Sequence, residues 1–329
     1  MSSFNEILGH QEIKEYLQNA ILAGKVSHAY MLSGPDKSGK RMLANAFAKT
    51  LLCERGGAVA CNECHSCIQA EHFNHPDIIY VQHEKPTYIS VDEIRKQIVN
   101  DVDVKPYQSK WKIYIIDEAD KMNRNAQNAL LKTLEEPPIY AVILLLTDNS
   151  DAFLDTVMSR CVKLSLHPVP GDEIRSYLME KHHVSEETAE LAAAFSDGAV
   201  GKALTLATSE DFHVLRQSVI RLVKRVKRME TEDLIAAVRE INDYKLTMND
   251  YFNLLTVWYR DVLMYKATQE VDSLIFRDEI YEIKGQADRS SYQGIEEIIK
   301  AIDNAKKRLA ANVNFDLTIE LLLMTIKEN

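Results

Sequence analysis

The sequence predicts an α/β N-terminal domain, a parallel sheet flanked by helices with a cysteine-rich insertion, followed by a small helical domain and an all-α C-terminal domain. Three observations predict it. Short, continuous apolar runs alternate with helical patterns through the first half, as in strands buried on both faces. A Gly-rich loop, Gly34-Pro-Asp-Lys-Ser-Gly39-Lys40-Arg41, stands between one such run and a helix. Beyond Pro170 the strand signal stops and amphipathic helical spacing takes over.

The elements follow in order. Ile13 to Ala23 has helical spacing, Ala29 to Ser33 is a short buried strand, and Arg41 to Leu52 is a helix, giving the strand–loop–helix order of a phosphate loop. After the insertion, Asp77 to Val81 reads as a strand. Val91 to Val99 reads as a helix, with Ser90 as N-cap and Glu93 completing a capping box. Lys112 to Ile116 and Ala141 to Leu146 are apolar strands. Between them the helix Ala126 to Glu135 is stopped by Pro137 and Pro138. A helix over Ala152 to Met158 and a strand near Val162 to Leu166 close this domain. Asp172 to Lys181, Glu186 to Phe195 and a helix reaching about Ala207, punctuated by Gly198 and Gly201, form the small domain. Long amphipathic helices then dominate from Phe212, including Asn249 to Ala267 and Ile295 to Ala310. The expected domains are 1–167, with the cysteine module at about 53–67, then 168–208 and 209–329.

Composition narrows the function. With 329 residues the chain can bury sizeable cores, and 46% hydrophobic with 27% charged residues is ordinary for a globular protein. No apolar run approaches the roughly 18 residues of a membrane span, and no signal-peptide pattern opens the chain, so the expected location is the cytoplasm. A net charge of −10 opposes nucleic-acid phosphate, which disfavours a stand-alone DNA binder. Arg221-Leu-Val-Lys224-Arg225-Val-Lys227-Arg228 is locally basic, with the spacing of a solvated helix face.

The Gly-rich loop matches G-x-x-x-x-G-K-[ST] except at its end. In that pattern backbone amides wrap the phosphates, the lysine meets the β/γ oxygens and the final hydroxyl ligates Mg²⁺. Gly34, Gly39 and Lys40 are in place, but Arg41 replaces the hydroxyl and Asp36 adds a negative charge. About 75 residues on, the strand Ile113-Tyr-Ile-Ile ends in Asp117-Glu118-Ala-Asp120. On a phosphate-loop fold the first carboxylate holds Mg²⁺ and the second orients water; alone, such a pair is a solvated strand end. Thr147 ends another strand, where its hydroxyl either senses a terminal phosphate or caps the chain. Lys202, in Gly198-Ala-Val-Gly201-Lys202, either reaches toward a nucleotide or faces solvent. Arg160, in Ser159-Arg160-Cys161, is a surface cation or an arginine finger, and Cys161 is a small core residue. No Ser-His-Asp or Cys-His arrangement of a hydrolase and no H-E-x-x-H stands out.

Cys53, Cys61, Cys64 and Cys67 form a C-x₇-C-x₂-C-x₂-C cluster. Four thiolates close a tetrahedral shell, which predicts a structural Zn²⁺ with no open position for catalysis. His65 and His72 are rival ligands, although the cysteine set is complete without them.

Taken together these residues resemble the bacterial clamp-loader branch of the AAA+ family. The resemblance runs from Ile7-Leu-Gly-His10 and Ser27-His-Ala-Tyr30 through the phosphate loop, the cysteine cluster and Ile116-Asp-Glu-Ala-Asp120. It continues through Asn125-Ala-Gln-Asn-Ala-Leu-Leu-Lys-Thr-Leu-Glu-Glu-Pro-Pro138 and Ser159-Arg160-Cys161 to Trp258-Tyr-Arg-Asp261 and Ala311-Asn-Val-Asn314. It implies an AAA+ domain with a lid, a C-terminal collar that oligomerises, and a hetero-pentamer with τ/γ-type and δ subunits. That assembly loads the sliding clamp on primer-template DNA as part of a DNA-directed DNA polymerase holoenzyme. In this family τ/γ-type subunits carry the full loop, and a stator subunit donates an arginine finger, at the position of Arg160, to a neighbour's ATP. Arg41, and Lys202 where active relatives have the arginine of the second sensor, are departures that fit the stator, with ATP, ADP or Mg²⁺ bound weakly or not at all. The alternatives are an ATP-hydrolysing τ/γ-type subunit and a free-standing AAA+ repair or remodelling ATPase.

Overall fold

Five strands, β1 (Ala29–Ser33), β2 (Ile78–Tyr80), β3 (Lys112–Ile116), β4 (Ala141–Thr147) and β5 (Val162–Ser165), form one sheet in the order β2-β3-β4-β1-β5. Every neighbouring pair is parallel. This is a computed structural model describing residues 3–85, 87–311 and 313–329, so Asn312 of the Ala311–Asn314 motif lies outside the described residues. The chain divides into one unit of Met1–Ile174 with Asp197–Lys202 and another of Arg175–Ser196 with Ala203–Asn329.

The sheet explains the apolar runs. Because side chains alternate across a strand, Tyr30, Leu32, Ile113, Ile115, Leu144 and Leu146 pack on one face against Ile13 and Leu17 of α1 (Gln11–Leu22) and Leu43 and Phe47 of α2 (Lys40–Leu51). On the same face a short helix, α3 (His65–Glu71), which carries Cys67, adds Ala70. Met31, Tyr114, Ile116, Ile143 and Leu145 face the other way. There they meet Ile94 of α4 (Val91–Ile94), Leu130 and Leu134 of α5 (Arg124–Glu135) and Val157 of α6 (Asp155–Met158). Each fully buried aliphatic side chain in these layers contributes about 1.5–3 kcal/mol.

Two expectations change in detail. Ser90 and Glu93 form the expected capping box, but after α4 the helix widens into a π turn over Arg95–Val99. The helix expected from Ala152 shortens to a 3₁₀ turn, Ser150–Ala152, and α6. The cause is Gln127, buried on α5: its amide donates to the Ala152 carbonyl and accepts from the Leu154 amide, 3.0 and 2.8 Å, and so diverts the backbone between them.

Among the described residues of the second unit, the regular elements are all helices. It contains α8 (Glu186–Phe195), α10 (Glu210–Arg225), α11 (Thr231–Asn242), α12 (Met248–Thr268), α13 (Ile280–Arg289), α14 (Tyr292–Ala310) and α15 (Phe315–Glu328), while α7 (Gly171–His182) and α9 (Val200–Thr208) contribute residues to both units. The Trp258–Asp261 motif is structural. The Trp258 indole donates to Gln286 at 3.0 Å, and the buried Asp261 carboxylate accepts the Ile275 and Phe276 amides at 2.8 Å. In the basic segment, Lys224 pairs with Glu279 at 2.6 Å and Arg225 with Glu240. Among the described residues no helix is long and apolar enough to cross a membrane.

Candidate functional site

The phosphate loop joins β1 to α2 because its glycines permit two contortions. Gly39, the α2 N-cap, has φ 104, which a residue with a Cβ resists. A Cβ on Gly34 would meet the Leu166 Cβ at 2.9 Å. His10, itself left-handed, braces the loop by placing Nε2 3.1 Å from the Ser38 carbonyl, and burial lowers its pKa. From the other side the Gly201 amide donates to the Lys37 carbonyl at 3.0 Å.

Within this frame the charges are spent internally. The buried Lys40 ammonium donates to the carbonyls of Gly34 and Pro35 at 2.7 and 2.6 Å and pairs with Asp148 at 2.6 Å, which uses the three donors an ammonium has. Arg41 is exposed and turns toward the end of β3, its guanidinium 3.7 Å from Asp117 and 5.9 Å from the centre of the Phe73 ring. Glu118 has φ 48, a strained conformation for a non-glycine residue, pairs with Lys121 at 2.7 Å and lies 3.4 Å from His83 Nε2. Arg41, Tyr80, His83, Asp117 and Glu118 line a cleft of about 370 Å³. Buried Thr147 donates to Asp120, 3.0 Å, and accepts the Asn149 amide. The buried Ser38 hydroxyl has no hydrogen-bond partner among the described residues.

The structure thus gathers Gly34, Gly39, Lys40, Arg41 and Asp117 around one loop. Lys202 is paired with Asp197 at 3.4 Å, and Thr147 answers to Asp120. A nucleotide fits these residues only in part: the wrap and one unspent hydroxyl remain, while the lysine and the metal position are taken by protein charges. Sequence reasoning missed Asp148 and His83. Asp148 had a readable signal, a carboxylate one residue past a strand end beside the loop, whereas His83 had none.

Arg160 lies just beyond α6, elsewhere in the same unit. Its NH2 is 2.8 Å from Glu135 Oε1, and its NH1 donates to the Thr156 carbonyl at 2.7 Å. The side chain stays 34% exposed, enough to meet another molecule. Neighbouring Cys161 is partly buried against the core, which pushes its thiol up to about 11.

The four cysteines converge two residues beyond the end of α2. Their sulfurs all lie within 4.8 Å of one another, and those of Cys61 and Cys67 are 3.9 Å apart. A tetrahedron with Zn–S of about 2.3 Å has edges of about 3.8 Å. Backbone amides of Cys61, Cys64 and Cys67 point at the sulfurs of Cys53, Cys61 and Cys64 respectively, each at 3.4 Å, a pattern that favours thiolate. Asn62, left-handed at φ 61, makes the turn between Cys61 and Cys64. Backbone hydrogen bonding at Glu63 and Cys64 pulls the Cys61 thiol down to about 6, while burial pushes Cys67 up. Soft sulfur donors in this arrangement fit zinc. His65 and His72 are exposed and outside the cluster. The module is fastened from behind by Lys49–Glu71, 2.5 Å, and by Ser66 against His75 Nε2, 2.8 Å.

Comparison with known proteins covers nearly the whole chain. Residues 9–170 match the family described as DNA polymerase III, delta subunit, and residues 211–328 match DNA polymerase III, delta subunit, C terminal. The chain is 33% identical over 320 residues to DNA polymerase III subunit delta' of Bacillus subtilis (strain 168), covering 96% of this chain and 95% of that protein. To subunit tau of the same organism it is 28% identical over 93% of this chain, but spans only 58% of tau. A solved gamma subunit-related protein from Thermotoga maritima is 21% identical with a TM-score of 0.44, covering 96% of this chain and 98% of that one.

Proposed function

The chain belongs to the family of DNA polymerase III δ′ clamp-loader subunits, and on that premise we propose that it is the stator of a loader rather than one of its ATPases. In this reading it joins τ/γ-type and δ subunits in a hetero-pentamer in the cytoplasm. The assembly opens a ring-shaped clamp and closes it on primer-template DNA. DNA contact belongs to the assembly, since this chain alone carries a net charge of −10. The division into a 1–167 AAA+ domain, a 168–208 lid and a 209–329 oligomerising collar is part of the same proposal.

One observation carries the reading: Arg41 stands in place of the Mg²⁺ hydroxyl with its guanidinium toward Asp117, 3.7 Å away. A fixed cation there repels a divalent metal, and the metal's inner-sphere oxygen is gone. The catalytic share of the subunit is then Arg160, offered in trans to the phosphates of a neighbour's ATP, where an arginine finger is worth roughly 10³–10⁵ in turnover in GTPases.

Reconstitution tests this. The chain is combined with τ/γ-type and δ subunits, clamp and primed DNA, and ATP turnover is followed. Arg160→Ala should leave assembly intact, because a part-exposed ion pair contributes only about 0–1 kcal/mol to stability. It should lower hydrolysis at the neighbouring site by roughly 10²-fold or more. The chain alone should not turn over ATP. Hydrolysis by the isolated chain at about 1 s⁻¹, an ordinary enzyme rate, would overturn the stator reading, and unchanged turnover in the Arg160→Ala loader would remove the finger.

A further inference from the structure

We propose that Glu135 is the positioning residue of the arginine finger, holding the Arg160 guanidinium in the plane from which it meets a neighbour's phosphate. The inference rests on the finger reading of Arg160 given above. Glu135 is the last residue of α5, where the partial negative charge of the helix end disfavours a carboxylate. Its Oε1 is 2.8 Å from Arg160 NH2. On the other side of the guanidinium, NH1 donates to the Thr156 carbonyl at 2.7 Å and is 3.4 Å from the Ser159 hydroxyl. The two anchors come from different elements, the end of α5 and α6, and grip two different nitrogens.

Two fixed points define the plane of a planar, five-donor group and leave its remaining N–H bonds free to donate outward. A lone exposed arginine samples many rotamers, and ordering it carries an entropic cost. Part of that cost is met here before any partner arrives. As fold stabilisation the contact is minor, because both side chains are well exposed, 34% for Arg160 and 50% for Glu135. The backbone after Glu135 is also stiff, since Pro137 and Pro138 follow within three residues and limit how far the carboxylate can drift. The geometry therefore suits orientation better than stability.

The test uses the reconstituted loader with Glu135→Ala, Glu135→Gln, Arg160→Ala and the double variant. Glu135→Ala should lower kcat for ATP about tenfold, as a displacement of the finger by a fraction of an ångström would. KM for ATP and the thermal midpoint of the chain should not change. Glu135→Gln keeps an acceptor on Arg160 and should recover at least half of the wild-type kcat. In the Arg160→Ala background, Glu135→Ala should be silent. Wild-type turnover in Glu135→Ala would overturn the positioning role, and turnover above wild type would make Glu135 a competitor of the phosphate instead. A glutamine variant as slow as the alanine variant, or a further loss in the double variant, would also overturn it. If Arg160→Ala itself changes nothing, the finger reading has failed. If Arg160→Ala is slow and Glu135→Ala is not, the positioning inference has failed alone.

Discussion

Helix α2 carries a ligand-binding segment at each end, and the two have opposite fates. At its start, the phosphate loop keeps its glycines and lysine, yet Lys40 is absorbed by Gly34, Pro35 and Asp148, and Arg41 faces Asp117 where a metal ligand would be. At its end, Cys53, Cys61, Cys64 and Cys67 bring four sulfurs within 4.8 Å of one another, and backbone amides point at three of those sulfurs. The near-complete motif is the one whose lysine is already engaged by protein groups. Binding capacity resides in unspent donors and acceptors, and a motif records only which residues stand where. The two ends also differ in what they serve. The cysteine end organises a segment without regular structure between α2 and α3, whereas the loop end is already ordered by β1, α2 and His10.

The largest expected effect lies at the cysteine end. The protein should carry one zinc per chain by metal analysis, and Cys67→Ser should lose it. Structural zinc supplies roughly 10–16 kcal/mol to isolated zinc-finger peptides. Here the Lys49–Glu71 and Ser66–His75 contacts should keep the loss local. Hydrogen exchange should therefore rise steeply across residues 53–75 while the sheet stays protected. Full protection across that segment in metal-free protein would erase the contrast between the two ends of α2.

A smaller effect comes from the residues that seat the module beside β2. Asp77 is buried, which works against its charge, but the amides of Tyr107, Gln108 and Ser109 outweigh this and hold its pKa below the usual range. His75 has its pKa lowered, chiefly by burial, with Nδ1 accepting the Asp77 amide at 3.1 Å. Both groups bind fewer protons folded than unfolded. The stability they contribute is therefore present above their unfolded values, about 6.5 and 3.9, and declines as pH falls, first through His75 and then through Asp77. Asp77→Ala should cost about 1–3 kcal/mol by leaving the amides of residues 107–109 without their carboxylate acceptor. Asp77→Asn should flatten the decline below about pH 4. Denaturant midpoints measured between about pH 3 and 8 check both, and a pH-independent wild type would refute the assignment.

Much of this was legible in the sequence. Strands β1 and β3 and helix α8 fall where the apolar spacing put them, because continuous or 3.6-periodic apolar patterns report burial directly. The cysteine cluster was legible for a similar reason, since its ligands are close in sequence and one tight turn brings them together. What stayed hidden depends on contacts made at a distance. Gln127 reshapes residues 152–154 from another helix, and Glu135 reaches Arg160 across 25 residues. The carboxylate that takes up Lys40 is Asp148, over a hundred residues away. Such pairs leave no local pattern. The Lys40–Asp148 pair appears only when the sheet order places β4 beside β1.

The finest distinction is whether Arg41 alone silences the loop end of α2 or shares that effect with Asp148. Arg41→Thr restores the hydroxyl that an octahedral Mg²⁺ needs and releases Asp117 from the guanidinium. If Arg41 is the main cause, this variant should bind ATP about tenfold more tightly with Mg²⁺ than without, the worth of about 1.4 kcal/mol, while wild-type binding stays weak and indifferent to the metal. Isothermal titration with and without Mg²⁺ reads the difference directly. Because Lys40 must exchange Asp148 for phosphate in either protein, adding Asp148→Asn should strengthen binding without altering the metal dependence. Metal dependence that appears only in the double variant would transfer the main cause to Asp148. The loop end of α2 would then differ from the cysteine end through a competing carboxylate rather than a missing ligand.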